Sequence, residues 1–158
     1  KGNELGVVCM RGNTVKMGYH KHKPATNKAF AKGWFHTGDI AVIHKSGYIQ
    51  LKDRSKDIII SGGENISSIE IENVLFKHKN IIDAAVVAMK DNKWGEVPCA
   101  FVTLKKNSVI KEQEIIQFCR KNMASFKIPK SIIFGKIDKT PTGKTQKFLL
   151  RKRVNQTD

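Results

Sequence analysis

The segment Thr142-Gly143-Lys144-Thr145 places a lysine directly after a glycine, as at the end of a phosphate-binding P-loop. A P-loop also needs an earlier glycine at position 138, where this chain has Asp138, so the pattern argues against that class of nucleotide hydrolase. A lysine on a glycine-bearing loop can instead stabilise two anions, such as a carboxylate and a phosphate, as they approach each other. The alternative is that Lys144 is one solvated lysine among many basic neighbours.

Two further polar segments offer binding chemistry. Asp39 follows Thr37-Gly38, where we expect an exposed turn. A carboxylate there can accept two hydroxyl hydrogen bonds from a vicinal diol, and the ribose of a nucleotide provides such a diol. The alternative is a turn aspartate that satisfies backbone N–H groups. The charged run Asp53-Arg54-Ser55-Lys56, taken alone, indicates only a linker between elements.

A glycine pair and two aromatic residues form a third group of candidates. In Ser61-Gly62-Gly63-Glu64 the glycines would let another backbone or a thin ligand approach closely, although a simple tight turn is the alternative. Trp94 and the pair Phe126-Lys127 combine aromatic faces, which stack on a base, with an ammonium group that pairs with phosphate. Loop packing is the alternative for these residues.

The elements that must position these residues follow from periodicity and caps. An S-x-x-E capping box at Ser67 and Glu70 opens a helix with one apolar stripe, and Ser46-Gly47 lies between the two arms of a predicted β-hairpin. Residues 21–26, with Pro24, are predicted as a loop. The predicted strands cover residues 6–10, 39–45, 48–52, 58–60, 81–89, 97–104 and 131–134, and the other predicted helices cover residues 112–123 and 144–154. This order favours an α+β fold with a small mixed β-sheet and flanking helices.

Composition narrows the class of protein. The chain has 158 residues, 40% hydrophobic content and a formal net charge of +15, which allow a real core and favour anionic partners such as nucleic acid, acidic lipid or a polyphosphate. The alternative is a solvated, lysine-rich surface. The three cysteines lack the spacing of a metal site and are predicted to be buried free thiols in a reducing compartment. No metal site and no membrane span are expected.

The motifs taken together resemble a known family. Gly33-Trp-Phe-His-Thr-Gly-Asp39, the run from Asp53-Arg54 through Ser61-Gly62-Gly63-Glu64 to Glu70, and Thr140-Pro-Thr-Gly-Lys144 occur in the order of the C-terminal part of the acyl-adenylate-forming enzymes, the AMP-forming acid–CoA ligases. The likeness covers nearly the whole chain and is strongest to the plant acyl-activating and benzoate- or cinnamate–CoA ligase branch. It implies that residues 1–52 are the tail of a large N-terminal domain and that residues 53–158 are its mobile C-terminal lid.

The resemblance implies a role for each candidate residue. Lys144 corresponds to the catalytic lysine of adenylation, Asp39 and Arg54 to nucleotide-binding residues, and Lys56 to the hinge between the two domains. The positions that correspond to the CoA site are Gly62, Gly63, Glu64, Trp94, Phe126 and Lys127. Ile128 departs from the pattern, because several relatives have a basic residue there, so that part of the implied CoA site does not match.

The implied reaction has two halves, in which a carboxylic acid and ATP give acyl-AMP and CoA then takes the acyl group. ATP or AMP and CoA would be the ligands, with Mg²⁺ entering with ATP and bound mainly by the N-terminal domain. We expect no full ligase activity from these 158 residues alone, no specific nucleic-acid binding, and a peroxisomal or cytosolic location. Two alternatives stay open at this point: a basic nucleic-acid-binding module, for which the characteristic RNP sequence is absent, and a stand-alone partner-binding lid.

Overall fold

The computed structural model describes residues 5–156, which fall into two compact units that divide after Lys56. The outermost residues of the two predicted domains, 1–4 and 157–158, lie outside the described part. The predicted domain boundary, between residues 52 and 53, lies a few residues before the division after Lys56. No helix within residues 5–156 is long and apolar enough to cross a bilayer.

The first unit is built on a three-stranded antiparallel sheet in the order β1-β2-β3. Its strands are β1 (Gly6–Met10), β2 (Phe35–Ile43) and β3 (Ile49–Arg54). The predicted hairpin is present, because β2 and β3 pair directly and Gly47 takes the positive φ of 85° that their turn requires. Thus the glycine in the turn signal performs the role that the sequence indicated.

The prediction of a loop over residues 21–26 was wrong, because a helix, α1 (Lys23–Ala29), begins there. Pro24 lies in the first turn of α1, where a missing backbone N–H breaks no helical hydrogen bond. The ring Nδ1 of His22 accepts a hydrogen bond from the Ala25 N–H at 3.3 Å and so caps the helix. The proline therefore starts a helix here instead of preventing one. A short 3₁₀ turn, Ala31–Gly33, follows.

The second unit contains a mixed sheet in the order β5-β4-β7-β6, with β8 parallel to β7. The predicted α+β fold with a small mixed sheet is confirmed. The strands are β4 (Ile59–Ser61), β5 (Glu64–Ile66), β6 (Ile81–Asp91), β7 (Gly95–Leu104) and β8 (Ser131–Phe134). The helices are α2 (Ser68–Leu75), α3 (Glu112–Asn122) and α4 (Lys147–Asn155), and a 3₁₀ turn covers Ser125–Lys127.

Both faces of this sheet are buried, which explains why β6 and β7 are apolar without interruption. Ala84 and Val86 of β6 pack into a core with α2 and α3, whereas Ala85 and Val87 face the opposite side and pack with Leu150 of α4. Successive side chains of a strand point to opposite faces, so alternate residues supply the two cores. The apolar sides of α2 and α3 thus pack on one face of the sheet and that of α4 on the other.

The last helix begins later than predicted. The sequence placed its start at Lys144, but α4 begins at Lys147, and residues 139–145 form a tight loop. Thr140 N–H donates to the Lys144 carbonyl at 2.8 Å, and Gly143 has a φ of 83°. That backbone bond and the bridge between Lys139 and Thr145 hold these residues in the loop, so Lys144 lies before the helix and not in its first turn.

Candidate functional site

The Gly62-Gly63 pair forms the two-residue turn between β4 and β5. The sequence analysis predicted a strand at β4 but none at β5. Both glycines have positive φ, 58° and 88°, as a twisted two-residue hairpin turn requires. Trp94 packs over this turn, since a Cβ built on Gly62 would lie 2.8 Å from Trp94 Cε3. Gly62 N–H also donates to the Trp94 carbonyl at 2.9 Å. The absence of a side chain at Gly62 therefore makes room for the indole.

Asp91 fixes the loop that carries Trp94. One of its carboxylate oxygens accepts the backbone N–H groups of Lys93 and Trp94, each at 2.9 Å, and the other pairs with the Lys130 ammonium. The Lys130 hydrogen bond first, and then those two backbone donors, lower the pKa of Asp91 from 3.8 to about 2. Asp91 is thus ionised at neutral pH and holds the tryptophan loop in one conformation. The sequence analysis did not identify this residue, although an aspartate two positions before its backbone donors is a turn signal.

A groove of about 680 Å³ opens beside the glycine turn. Its lining brings together four of the six residues predicted for CoA: Gly62, Glu64, Trp94 and Phe126. Gly63 and Lys127 do not line it. The Lys127 ammonium instead lies 2.6 Å from Glu70 Oε1, an ion pair at the start of α2. The assignment of these residues to CoA stays a prediction.

The groove also contains polar residues that the sequence analysis missed. Arg120 and Lys130 add cationic groups to its lining, next to the exposed aromatic faces of Trp94 and Phe126. Ile116, Ile128 and Pro129 supply its apolar surface. Arg120 lies on α3 and Lys130 just before β8, so no local pattern links them to a glycine pair at residue 62. The groove therefore combines features that suit a long ligand with an aromatic base and phosphate groups.

Lys144 lies on the tight loop before α4, and its side chain is exposed. Besides the Thr140–Lys144 backbone bond, the Lys144 N–H donates to Thr140 Oγ1 at 3.1 Å. Among residues 5–156, no carboxylate lies within ion-pair distance of its ammonium group. A rigid loop thus presents a lysine to solvent, where its charge is available to an anionic ligand.

Lys144 and the groove lie on opposite sides of the sheet. Ile116 of the groove packs with α2 and α3 against one face. The Lys144 loop connects Ile137 to Leu150, and both of these residues pack against the other face.

In the first unit, Asp39 lies within β2, directly opposite Arg54 of β3, so the expected turn at Asp39 was wrong. The ladder continues through this position because Gly38, with a φ of 79°, accepts the Ser55 N–H. Arg54 Nε lies 3.3 Å from Asp39 Oδ1, and the Asp39 side chain is about one-third exposed. The structure therefore brings the two predicted nucleotide-binding residues into contact. Lys56, the predicted hinge residue, is exposed at the end of this unit.

The cysteines differ from the prediction in one case. Cys99 and Cys119 are buried, and burial raises the pKa of each thiol to about 11. Cys9, however, is exposed, because β1 is an edge strand and this side chain does not face a core. Residues 5–156 contain no cluster of three or more His, Cys, Asp or Glu side chains placed to hold a metal ion.

Comparison with known proteins identifies the class to which this arrangement belongs. Residues 70–144 match the family model of the AMP-binding enzyme C-terminal domain. The chain contains the C-terminal domain of the AMP-binding enzyme family, as the resemblance of its motifs implied.

Its homologues are plant CoA ligases. An acetate–CoA ligase of Humulus lupulus is 51% identical over 160 residues, which cover 98% of this chain and 28% of that protein. A peroxisomal trans-cinnamate:CoA ligase of Petunia hybrida is 53% identical over 151 residues, covering 95% of this chain and 26% of that protein. The chain therefore spans just over a quarter of the length of the curated relatives it matches.

Solved structures of the family superpose closely. ATP-bound MatB from Rhodopseudomonas palustris has a TM-score of 0.90 at 30% identity, over 97% of this chain and 31% of that chain. An anthranilate CoA ligase in complex with anthranoyl-AMP has a TM-score of 0.88 at 31% identity, over 98% of this chain and 31% of that chain. None of these comparisons supports the alternatives of a nucleic-acid-binding module or a stand-alone partner-binding lid.

Proposed function

We propose that this chain serves an ATP-dependent acid–CoA ligase that forms an acyl-adenylate and then transfers the acyl group to CoA. The observation that carries the proposal is the placement of the exposed Lys144 and the Gly62–Trp94 groove on opposite faces of one sheet. Two sites on opposite faces serve one reaction centre in sequence if the domain turns between steps. Related proteins named as CoA ligases support this function.

In the first half-reaction, a carboxylate oxygen of the acid attacks the α-phosphorus of ATP, and the bond to the β-phosphate oxygen breaks to release pyrophosphate. Lys144 would lie between these two anions and offset their repulsion as they meet. The bonds to Thr140 restrain the Lys144 backbone and so fix the point from which the side chain leaves the loop. Asp39 would accept the ribose hydroxyls, and Arg54 would support Asp39 and contact the nucleotide. Mg²⁺ would enter with ATP and be held mainly by the N-terminal domain.

In the second half-reaction, the sulfur of CoA, having lost its proton, attacks the carbonyl carbon of acyl-AMP, and AMP leaves with the electrons of the broken bond. Here the Gly62-Gly63 turn would lie along the thin pantetheine arm, with Gly62 lining the groove and Gly63 outside it. Trp94 and Phe126 offer faces for the adenine, Arg120 and Lys130 line the same groove, and Lys127 lies beside the Phe126 ring. We propose that rotation about Lys56 exchanges the two faces.

The compartment proposed for this enzyme is an intracellular, reducing one, consistent with the free thiols of Cys99 and Cys119. A related enzyme from Petunia hybrida is named as peroxisomal. The acid substrate is a carboxylic acid whose pocket would be formed by the N-terminal domain.

Separate measurement of the two half-reactions tests the proposed function. In the full-length enzyme, Lys144→Ala should slow acyl-adenylate formation by about 10²–10³-fold, the usual effect of removing one transition-state contact, and leave thioester formation from supplied acyl-AMP unchanged. Lys106→Ala, which removes an equally exposed loop lysine, is the matched control and should affect neither half. An equal loss in both halves for Lys144→Ala would contradict the assignment.

A further inference from the structure

Helix α4, which follows the Lys144 loop, is held by an ionic network at its first residue. The Lys147 ammonium donates to Ser68 Oγ at 2.6 Å and lies 2.8 Å from Glu72 Oε1, both on α2. The side chains of Lys147 and Glu72 are only 15% and 13% exposed, and Ser68 is fully buried. A mostly buried ion pair that also makes hydrogen bonds fixes geometry strongly, since breaking it leaves a desolvated charge.

The same carboxylate also binds the sheet. Glu72 Oε1 accepts the backbone N–H of Val86 at 2.8 Å, on the outer edge of β6. Near the other end of α4, Asn155 accepts the Lys90 N–H and donates to the Ala88 carbonyl of the same strand. The C-terminal end of helix α4 is therefore bonded directly to β6, and its N-terminal end is linked to β6 through Glu72.

These attachments leave little freedom for the loop. Only Thr145 and Gln146 separate Lys144 from Lys147. Gln146 N–H donates to the Asp138 carbonyl at 2.9 Å, and Lys139 bridges to Thr145. Because both ends of the loop are bonded, the position of the first turn of α4 sets the position of the Lys144 backbone.

We propose that Lys147 and Glu72 are positioning residues for Lys144 in adenylation. They act through the α4 start and the loop, since their side chains are directed into the domain and are nearly buried. The inference rests on the proposed role of Lys144. A small displacement of a catalytic group, on the order of 1 Å, can slow a reaction by about 10²-fold, so loss of this network should be visible in the rate.

The test compares variants of the full-length enzyme in the two half-reactions. Lys147→Met removes the charge but keeps the length of the side chain, and it should slow acyl-adenylate formation by roughly 10–100-fold while thioester formation from supplied acyl-AMP is retained. Lys147→Arg, which can still pair with Glu72, should recover most of the adenylation rate. Lys152→Met makes the same change on the exposed side of α4 and should have no effect. Glu72→Gln keeps an acceptor for the Val86 N–H but removes the negative charge that pairs with Lys147, so it should slow adenylation as Lys147→Met does. Agreement between the two variants would show that the loss comes from the ion pair and not from misfolding of one variant.

A second readout separates this inference from the proposed function. Hydrogen exchange of the Lys144 amide, which is bonded to Thr140 Oγ1, should become faster in Lys147→Met and stay unchanged in Lys152→Met. Slower adenylation with unchanged exchange, or equal losses in both half-reactions, would overturn the positioning role. If Lys144→Ala itself left adenylation intact, the proposed function would fail. The hydrogen-exchange rates would still show whether Lys147 restrains the Lys144 loop.

Discussion

Replacing Gly62 by alanine is expected to impair thioester formation through the position of Trp94. The new Cβ would lie 2.8 Å from Trp94 Cε3, closer than carbon atoms approach in proteins, and 3.1 Å from Cζ3, which is an unusually tight contact. Gly62 also has a φ of 58°, and a left-handed conformation costs a residue with a side chain about 1–2 kcal/mol. The overlap is relieved when the indole turns away from Gly62, and a χ angle about 30° off its rotamer costs about 0.5–1.5 kcal/mol. Trp94 is about half exposed, so it has room to move.

The neighbouring glycine supplies the matched control. Gly63 has a φ of 88°, so alanine there meets similar backbone strain, but no heavy atom lies within 4 Å of its added Cβ. The two variants should therefore lose similar stability, whereas only Gly62→Ala displaces the tryptophan. The difference between them isolates the contact with Trp94 from the strain of the turn.

The assay measures each half-reaction in the full-length enzyme. It also measures the fluorescence of Trp94 in a background in which Trp34, and any tryptophan outside these 158 residues, is replaced by phenylalanine. Gly62→Ala should slow thioester formation by about tenfold or more, since misplacement of a binding group by about 1 Å has effects of that order. Acyl-adenylate formation should be unchanged, because Lys144 lies across the sheet. The fluorescence should shift in Gly62→Ala and not in Gly63→Ala. Equal thioester rates in the two variants, accompanied by that fluorescence shift, would refute the argument that Trp94 contributes to the CoA site.

Two further predictions concern single carboxylates. Asp39→Ala should weaken ATP and AMP binding by about tenfold or more, because a hydrogen bond to a charged group contributes about 1.5–3 kcal/mol. Nucleotide titration measures this affinity. Equal affinity in variant and parent, with an intact circular dichroism spectrum, would argue against binding of the ribose diol by Asp39. Asp91 has a folded-state pKa of about 2 against 3.8, so its stabilisation is present above pH 4 and is lost as the pH falls towards 2. Acid unfolding of Asp91→Asn should consequently depend less on pH in that window than unfolding of the parent, and identical profiles would contradict the assigned pKa.

Local patterns predicted the elements whose causes are local. The predicted helix cap is present, with Ser67 Oγ accepting the Glu70 N–H at 3.2 Å, and the hairpin between β2 and β3 follows its glycine signal. The apolar runs of β6 and β7 are strands of nearly the predicted length. One error arose because a local signal has two outcomes: Pro24 ends a helix in most contexts but begins α1 here. Another arose because Thr145 bridges to Lys139, which delays α4 by three residues relative to the prediction.

The sequence by itself thus determined the α+β fold, its family and a set of candidate residues, because caps, turns and periodicity are properties of neighbouring residues. Only the tertiary structure decided which candidates meet. Trp94 reaches Gly62 because Ser61 pairs with Gly95 across two strands, and Arg120 joins them from a helix on the same face. Lys144 and the groove are separated because β6 and β7 are buried on both sides. These placements depend on strand register and on which face each helix covers, and both are settled by packing between residues far apart in the chain.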